Sequence, residues 1–173
     1  MTRAPSPFWP LDWWSAWWDA WGTAPYVAPL RDSGQAATLA RLHATAFARP
    51  WDAHAFERML CERSTEAHAL WRNRSVLGFA LSRRVLDEAE LLTIVLAPAA
   101  RGNGLGHRLL REHLTALAFT GVRTVHLEVD EGNEPAFRLY ARHGFAKVGE
   151  RTGYYARPDG ARATALTMSA TLS

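Results

Sequence analysis

The sequence has few of the features that build disulfides, metal clusters or membrane spans. Its 173 residues include one cysteine, Cys61, which excludes a disulfide framework and a thiolate cluster and indicates a reducing compartment. No apolar run approaches the ~18 to 20 residues that span a bilayer, because Asp12, Asp19 and Arg31 interrupt the most hydrophobic region. The first residues also lack the form of a signal peptide. The sequence therefore predicts a cytoplasmic protein.

Lysine is nearly absent, and so are runs of like charge. Lys147 is the one lysine beside 19 arginines and 17 acids, and the formal net charge is +3. The arginines are scattered, whereas a nucleic-acid-binding surface is expected to show a basic stripe with interleaved aromatics. We therefore expect no nucleic-acid partner, although a compact polyanion such as a nucleotide cofactor fits the charge. The seven histidines show no metal-ligand spacing, so no metal site is predicted.

The composition is that of one packed domain, with 48% hydrophobic and 21% charged residues. Strand-like and helix-like patterns alternate along most of the chain, which predicts an α/β fold with a mixed central sheet flanked by helices. Ser33, Asp52 and Asn133 are the predicted helix caps. Strands are predicted at 26–30, 67–71, 76–81, 89–96, 123–129, 145–154 and 163–172, and helices at 33–47, after 52, from the glycine-rich turn to 120, and at 133–144.

Six of the eight tryptophans lie between Trp9 and Trp21. On a helical wheel five of them occupy about half of the circumference, opposite Asp12 and Asp19, so residues 1–25 are predicted to form an amphipathic, Trp-rich helical extension before a domain at 26–173. Six such side chains would expose on the order of 1,000 Å², more than a soluble monomer leaves bare. Docking on the chain's own domain, contact with a partner or second copy, and a membrane interface all remain open, the last being least favoured because the polar face is acidic.

A glycine-rich turn, Arg101-Gly102-Asn103-Gly104-Leu105-Gly106, lies between an apolar strand and an amphipathic helix. Its backbone N–H groups and the helix dipole point to one place, which favours an anion, and its glycines let a diphosphate approach without a Cβ collision. A Walker A loop would need Gly-Lys-Ser/Thr, and a dinucleotide-binding unit would need repeated βαβ halves. A tight turn with glycines for packing alone is the other interpretation.

Several sequence segments together are similar to the GCN5-related N-acetyltransferase (GNAT) superfamily. Arg101, Gly104 and Gly106 match its R-x-x-G-x-G acyl-CoA signature after a strand that ends in Val-Leu-Ala-Pro. The resemblance extends from about Tyr26 to the C-terminus and is closest to the ribosomal-protein-alanine N-acetyltransferase branch. The other matching residues are Leu42-His43, Ala46-Phe47, Pro50-Trp51, Leu127-Glu128-Val129, Asn133, Ala136, Leu139-Tyr140, Gly144-Phe145, Gly153-Tyr154-Tyr155 and Asp159-Gly160.

The resemblance implies the GNAT acyl-CoA N-acyltransferase fold, acetyl-CoA as co-substrate and no metal. It implies that the backbone of Ile94, Val95 and Leu96 pairs with the amide-rich pantetheine arm, as an added strand would. It further implies that Asn133 binds this arm through its side chain. The diphosphate would lie on a cradle made of Gly102, Asn103, Gly104, Leu105, Gly106 and His107.

Two residues are candidates for the chemistry. Strand alternation puts Glu128 on a half-covered face, where it is either a solvated strand residue or a functional carboxylate. Tyr140 is either a core tyrosine beside Phe137 or a functional phenol. By resemblance, Glu128 is the general base, directly or through water, and Tyr140 the general acid toward the CoA thiolate. Cys61 is interpreted as a buried small side chain rather than a nucleophile.

The predicted function is transfer of the acetyl group of acetyl-CoA to a protein N-terminal α-amine, that of the N-terminal alanine of a small-subunit ribosomal protein. Two alternatives remain open. One is a GNAT enzyme that acts on other protein N-termini, lysine or a small amine. The other is a non-catalytic acyl-CoA-binding sensor that uses the same turn.

Overall fold

A computed structural model describes the backbone of residues 24–156 and 162–172. It describes the side chains of residues 24–152 and 164–172. These residues form seven strands and four α-helices. The strands are β1 (Tyr26–Pro29), β2 (Thr65–Arg72), β3 (Ser75–Val85), β4 (Glu88–Leu96), β5 (Thr124–Asp130), β6 (Ala146–Ala156) and β7 (Arg162–Thr171). The helices are α1 (Ala36–Ala44), α2 (Ala53–Cys61), α3 (Leu105–Phe119) and α4 (Glu134–Ala141). The predicted mixed α/β sheet flanked by helices is confirmed.

The strands form one sheet in the order β1-β2-β3-β4-β5-β7-β6. All neighbours are antiparallel except β4 and β5, which run parallel because α3 connects them. The sheet therefore has an N-terminal half, β1–β4, and a C-terminal half, β5–β7–β6. The β4–β5 pair is where the two halves meet.

Each face of the sheet carries its own hydrophobic cluster. On one face α3 packs leucines, among them Leu109, Leu110 and Leu117, against strands of both halves, and we call this the α3 cluster. On the other face α1 and α2 cover only the N-terminal half, in a cluster that includes Phe56 and Phe79 and that we call the aromatic cluster. The α3 cluster is thus the packing that joins the two halves.

The β4–β5 pair opens after three residues. Within the described chain these strands pair only from Glu88 to Glu90, opposite Thr124 to His126. Just beyond, the register of β4 against β3 shifts, because Leu81 pairs with Thr93 and Ser82 with Leu91, which leaves Leu92 as the extra residue of a bulge. The extra residue reverses which positions of β4 face each side of the sheet. Before the bulge the odd-numbered Leu91 lies in the α3 cluster, whereas after it the even-numbered Ile94 and Leu96 pack against that cluster and Val95 lies in the aromatic cluster. The bulge therefore turns Ile94 and Leu96 toward the side of the sheet that α3 covers.

Two of the three predicted helix caps are present. The Asp52 carboxylate accepts a hydrogen bond from the Ala55 N–H at 2.8 Å, and the Asn133 amide oxygen accepts one from Ala136 at 3.3 Å. Ser33 is not the first cap, because Asp32 accepts from the Gly34 N–H and caps a short 3-10 turn before α1. The first helix also ends at Ala44 rather than at residue 47.

The Trp-rich extension predicted at residues 1–25 lies outside the described residues except for its last two. Its predicted helix, and the self-association or partner contact proposed for it, therefore remain predictions. Cys61 is exposed rather than buried, which corrects its interpretation as a core side chain. Among the described residues no helix is long and apolar enough to cross a membrane.

Candidate active site

A cleft of about 1270 Å³ lies where the two halves of the sheet separate. Its walls are β4 after the bulge, the glycine-rich turn with the start of α3, the end of β5 and the helix α4. Nine of the twelve site residues predicted from the sequence line it, namely Ile94, Leu96, Gly102, Gly104, Gly106, His107, Glu128, Asn133 and Tyr140. The topology thus brings together residues that are up to 46 positions apart.

The other three predicted site residues lie beside the cleft. The Val95 side chain is buried in the aromatic cluster, so that only its backbone is at the level of the cleft. Asn103 is exposed and donates a hydrogen bond from its amide to the Arg101 carbonyl at 3.2 Å, which closes the turn on itself. Leu105 begins α3 and packs against the α3 cluster. These residues shape the turn and the wall rather than line the cleft.

The glycines of the turn have different structural roles. Gly102 (φ +78°) and Gly104 (φ +71°) are left-handed, and an added Cβ would meet nothing within 4 Å at either position. These two positions therefore form an open, backbone-lined cradle at the N-terminus of α3, which fits a diphosphate. At Gly106, which lines the cleft, an added Cβ would lie 3.5 Å from Leu96 Cδ1, which is ordinary contact.

Arg101 holds the turn in place. Its Nε donates to the Leu96 carbonyl at 3.0 Å, and its Nη2 lies 3.4 Å from both Thr45 oxygens. These contacts tie the turn to the end of β4 and to the end of α1. The signature arginine thus acts on the position of the cradle, a role that its place in the motif alone does not reveal.

Glu128 lines the cleft from β5. The alternation predicted for β5 is confirmed, because Val125, Leu127 and Val129 are buried while Glu128 is half-buried. The guanidinium Nη1 of Arg151 on β6 lies 3.4 Å from Glu128 Oε1. A carboxylate with partial solvent access meets the steric requirement for a base that exchanges protons with substrate and water.

Tyr140 lies on the α4 side of the same cleft. Its side chain is only 7% exposed, and its ring packs against Phe145 with centroids 5.7 Å apart. Phe137, the neighbour expected from the sequence, is instead one of the exposed large apolar side chains. Tyr140 therefore joins the core through its ring and also lines the cleft, so the two interpretations of this residue are compatible.

Three cleft-lining residues that sequence reasoning did not select as site residues add charge or an exposed ring to its walls. Arg138 on α4 and Arg142, directly after its last residue, are four positions apart and both line the cleft, which gives its walls positive charge. The helical spacing of these arginines from Pro135, another lining residue, was the signal that could have identified them. Phe47, 43% exposed and three residues past the end of α1, also lines the cleft.

One histidine near the site, His43, is held by ring contacts. His43 stacks between Phe47 and Trp51, with centroids 4.1 and 4.8 Å away, and its Nδ1 accepts a hydrogen bond from the Trp51 N–H. Burial lowers the pKa of His43 to about 4, so this ring is neutral near pH 7. His43 therefore fixes the segment after α1 that carries Phe47. Among the described residues no group of acids, histidines and cysteines is arranged to hold a metal ion.

Comparisons with known proteins give one answer for the family. Residues 36–145 match the acetyltransferase (GNAT) family. The [ribosomal protein bS18]-alanine N-acetyltransferase of Haemophilus influenzae is 41% identical over 100 residues, which cover 58% of this chain and 68% of that protein. Its Escherichia coli K12 counterpart is 36% identical over 128 residues, covering 74% and 85%.

The fold comparison agrees with the sequence comparison. The crystal structure of ribosomal-protein-S18-alanine N-acetyltransferase from Escherichia coli superposes with a TM-score of 0.80 at 30% identity. The match covers 87% of this chain and 95% of that one. The fold implied by the glycine-rich turn and the segments around it is therefore confirmed for the part of the chain that the structure describes.

Proposed function

The chain belongs to the acetyltransferase (GNAT) family, and from that premise we propose that it transfers the acetyl group of acetyl-CoA to a protein N-terminal α-amine. The proposed acceptor is the N-terminal alanine of the small-subunit ribosomal protein bS18, on which the relatives named above act. The observation that carries the proposal is one cleft lined by the glycine cradle, by Glu128 and by Tyr140.

The cradle and β4 are the proposed binding surface for the CoA part of the donor. Gly102 and Gly104 offer backbone N–H groups to the diphosphate at the start of α3, while Arg138 and Arg142 supply positive charge. Beyond Glu90, β4 has no β5 partner among the described residues, so the backbone of Ile94, Val95 and Leu96 can pair with the amides of the pantetheine arm. Asn133, whose side-chain oxygen already caps α4, offers its amide nitrogen to the same arm.

Glu128 is the proposed general base. When bound, acetyl-CoA supplies a thioester that an amine can attack once the amine is neutral. An α-amine with a pKa near ~8 costs only about 1 kcal/mol to deprotonate at pH 7, whereas lysine near ~10.4 costs roughly 4 to 5 kcal/mol. A single carboxylate, acting directly or through one water, is therefore better matched to an N-terminal acceptor than to lysine.

Tyr140 is the proposed general acid. A phenol with an ordinary pKa near ~10 can protonate a departing thiolate of pKa ~8.5 at modest cost. Its position at the cleft wall on α4 supports this role, because β4, the proposed binding edge for the pantetheine arm, lines the same cleft.

Substitution of Glu128 by glutamine tests the chemistry. This variant keeps the size and polarity of the side chain but cannot accept the proton, so we expect turnover to fall by about 10² to 10⁴-fold. Affinity for CoA, measured by calorimetry, should stay within about twofold. The matched control is Glu57→Gln on the exposed face of α2. Turnover at the wild-type rate in Glu128→Gln would overturn the assignment of the base. If the wild-type protein binds CoA but transfers no acetyl group, the sensor alternative is favoured.

The acceptor class needs a second experiment. Mass spectrometry of reactions with a free α-amine peptide that begins with the bS18 alanine, and with an α-blocked peptide that contains lysine, separates the two amines. We expect acetylation of the first peptide alone. Preference for the blocked peptide would contradict the N-terminal proposal and favour a lysine acetyltransferase.

A further inference from the structure

A pair of histidines joins the two helices that flank the diphosphate end of the cleft. His107 lies in the first turn of α3 and lines the cleft. His143 follows the end of α4, where its backbone N–H donates to the Tyr140 carbonyl. The His107 Nδ1 and His143 Nε2 atoms are 3.2 Å apart, and the rings stack with centroids 5.4 Å apart. The contact leaves Nε2 as the His107 nitrogen that is free of His143.

The nitrogen-to-nitrogen contact limits the charge that the pair can hold. One hydrogen fits between two ring nitrogens, so the contact survives when the pair is neutral or carries one positive charge. Two charges would place two N–H groups against each other and break it. The singly charged pair has Nδ1–H of His107 donating to neutral His143, and it presents Nε2–H of His107 as a second donor.

The surroundings of the pair disfavour a positive charge on the His143 ring. Burial lowers the pKa of His143, and the charges of His107 and Arg111 on α3 lower it further. The other charged side chains at this cleft are Arg101 from the turn, Arg138 from α4, Arg142 directly after it, and Glu128 and Asp130 from β5. Three arginines and two acids thus line the cleft, while Glu134 on α4 pairs with Arg138 and Glu112 on α3 pairs with Arg111. A polyanion at the cradle would reverse this balance.

We propose that His143 positions His107 and that the pair takes up a proton when the diphosphate of CoA binds to the glycine cradle. The neutral ring of His143 accepts the Nδ1–H bond, which stabilises the cationic form of His107 and aims its Nε2–H toward the diphosphate. The inference rests on the proposed function, since it takes CoA as the ligand of the cradle. It adds that binding of this ligand is linked to pH through two side chains of this chain.

Calorimetry measures the proton directly. CoA is titrated into the full-length protein at pH 7 in two buffers of different ionisation enthalpy, and the difference in observed heat gives the number of protons taken up. Dephospho-CoA is the second probe, because it lacks the 3′-phosphate that itself titrates near this pH. We expect net uptake approaching one proton for both probes, and a dissociation constant that falls by up to about tenfold per pH unit between pH 8 and pH 6.

Variants assign the proton to the pair. His107→Asn should abolish the uptake, and His143→Leu should reduce it and raise the dissociation constant about tenfold at pH 6 but less than about twofold at pH 8.5. His143→Gln should restore much of the uptake, because its amide oxygen can accept the bond from Nδ1–H. The control is His54→Gln, an exposed histidine on α2.

The outcomes separate the two proposals. CoA binding without proton uptake in the wild type would overturn the histidine inference and leave the proposed function standing. Uptake that persists unchanged in His107→Asn would also overturn it. If neither CoA nor dephospho-CoA binds, the proposed function fails together with the inference that depends on it.

Discussion

The two halves of the sheet differ in how they are supported and in what they contribute. The N-terminal half has packed side chains on both faces, from α3 on one side and from α1 and α2 on the other. The C-terminal half shares the α3 cluster and carries Glu128 on β5 and, on the helix that follows, Tyr140. The difference teaches that the N-terminal half provides stability and a rigid wall with its cradle, while the proposed chemistry comes from the other half.

The largest expected effect tests whether the aromatic cluster carries this stability. Phe56 is fully buried, with its ring edge-on to Phe79 at 5.5 Å, so Phe56→Ala should lower the free energy of unfolding by about 3 to 5 kcal/mol. Urea unfolding measures it. Phe119→Ala, at a residue 88% exposed, is the control and should change stability by less than about 0.5 kcal/mol. Equal effects of the two substitutions would break the comparison.

The next largest effect is expected from acid, which should protonate two buried histidines that pack against the N-terminal half. Burial, aided by the charge of His68, lowers the pKa of His113 to about 3, while His43 lies at about 4. Both pKa values in the folded protein are below the unfolded value of 6.5. The stability that these neutral rings contribute is therefore fully present above pH 6.5 and is lost as pH falls toward 3 to 4. At pH 5 each of these histidines should lower the free energy of unfolding by roughly 2 kcal/mol relative to neutral pH.

A single substitution isolates one of these contributions. His43→Phe keeps a ring in the stack with Phe47 and Trp51 but cannot titrate. The difference between the unfolding free energies at pH 7.5 and pH 5 should shrink by roughly 2 kcal/mol in this variant. An unchanged difference would mean that the acid sensitivity comes from elsewhere. His54→Gln, on the exposed side of α2, should leave it as in the wild type.

A smaller effect is expected at the cradle. Gly104 is left-handed with open space around it, so Gly104→Ala should cost about 1 to 2 kcal/mol through backbone strain alone. If the turn relaxes instead of bearing this strain, CoA affinity should fall by a similar free energy. Gly149 on β6 has no such φ, and Gly149→Ala should change stability by at most about 0.5 kcal/mol. Unaltered stability and CoA affinity in Gly104→Ala would contradict the role given to this glycine.

The smallest expected effect is a gain. Thr93 on β4 is 4% exposed, and its hydroxyl has no hydrogen-bond partner among the described residues. Thr93→Val keeps the branched shape and removes the unsatisfied hydroxyl, so it should stabilise the protein by about 1 kcal/mol. Thr120→Val is the contrasting substitution, because the Thr120 hydroxyl donates to the Leu117 carbonyl at 2.7 Å. Loss of this hydrogen bond should destabilise the protein. A loss of stability in Thr93→Val would indicate a partner for that hydroxyl.

Much of the fold was predictable because it depends on short-range patterns. The caps at Asp52 and Asn133 and the alternation around Glu128 need only neighbouring residues, and the structure has them. Ser33 failed as a cap because Asp32, one residue earlier, accepts the N–H bond instead. The end of the first helix was misplaced because His43 stacks with both Phe47 and Trp51, and the contact with Trp51 lies beyond the helix and is not visible in its local pattern.

The candidate site was predictable residue by residue but not as an arrangement. The motif identified the turn, yet the grip of Arg101 on Leu96 and Thr45 joins positions up to 56 residues apart. The contact of His107 with His143 likewise spans 36 positions, and no local pattern in either helix indicates it. Arg138 and Arg142 were visible as a helical face, but what that face meets depends on packing.

The sequence by itself determined the elements of this protein and the chemical character of its turn, because propensity, capping and the left-handed glycines act within a few residues. Only the tertiary structure decided that β4 bulges at Leu92 and separates from β5 after Glu90. That separation sets the cradle, Glu128 and Tyr140 around one cleft. It depends on the register between strands and on the α3 cluster that joins the halves, and these are properties of long-range packing.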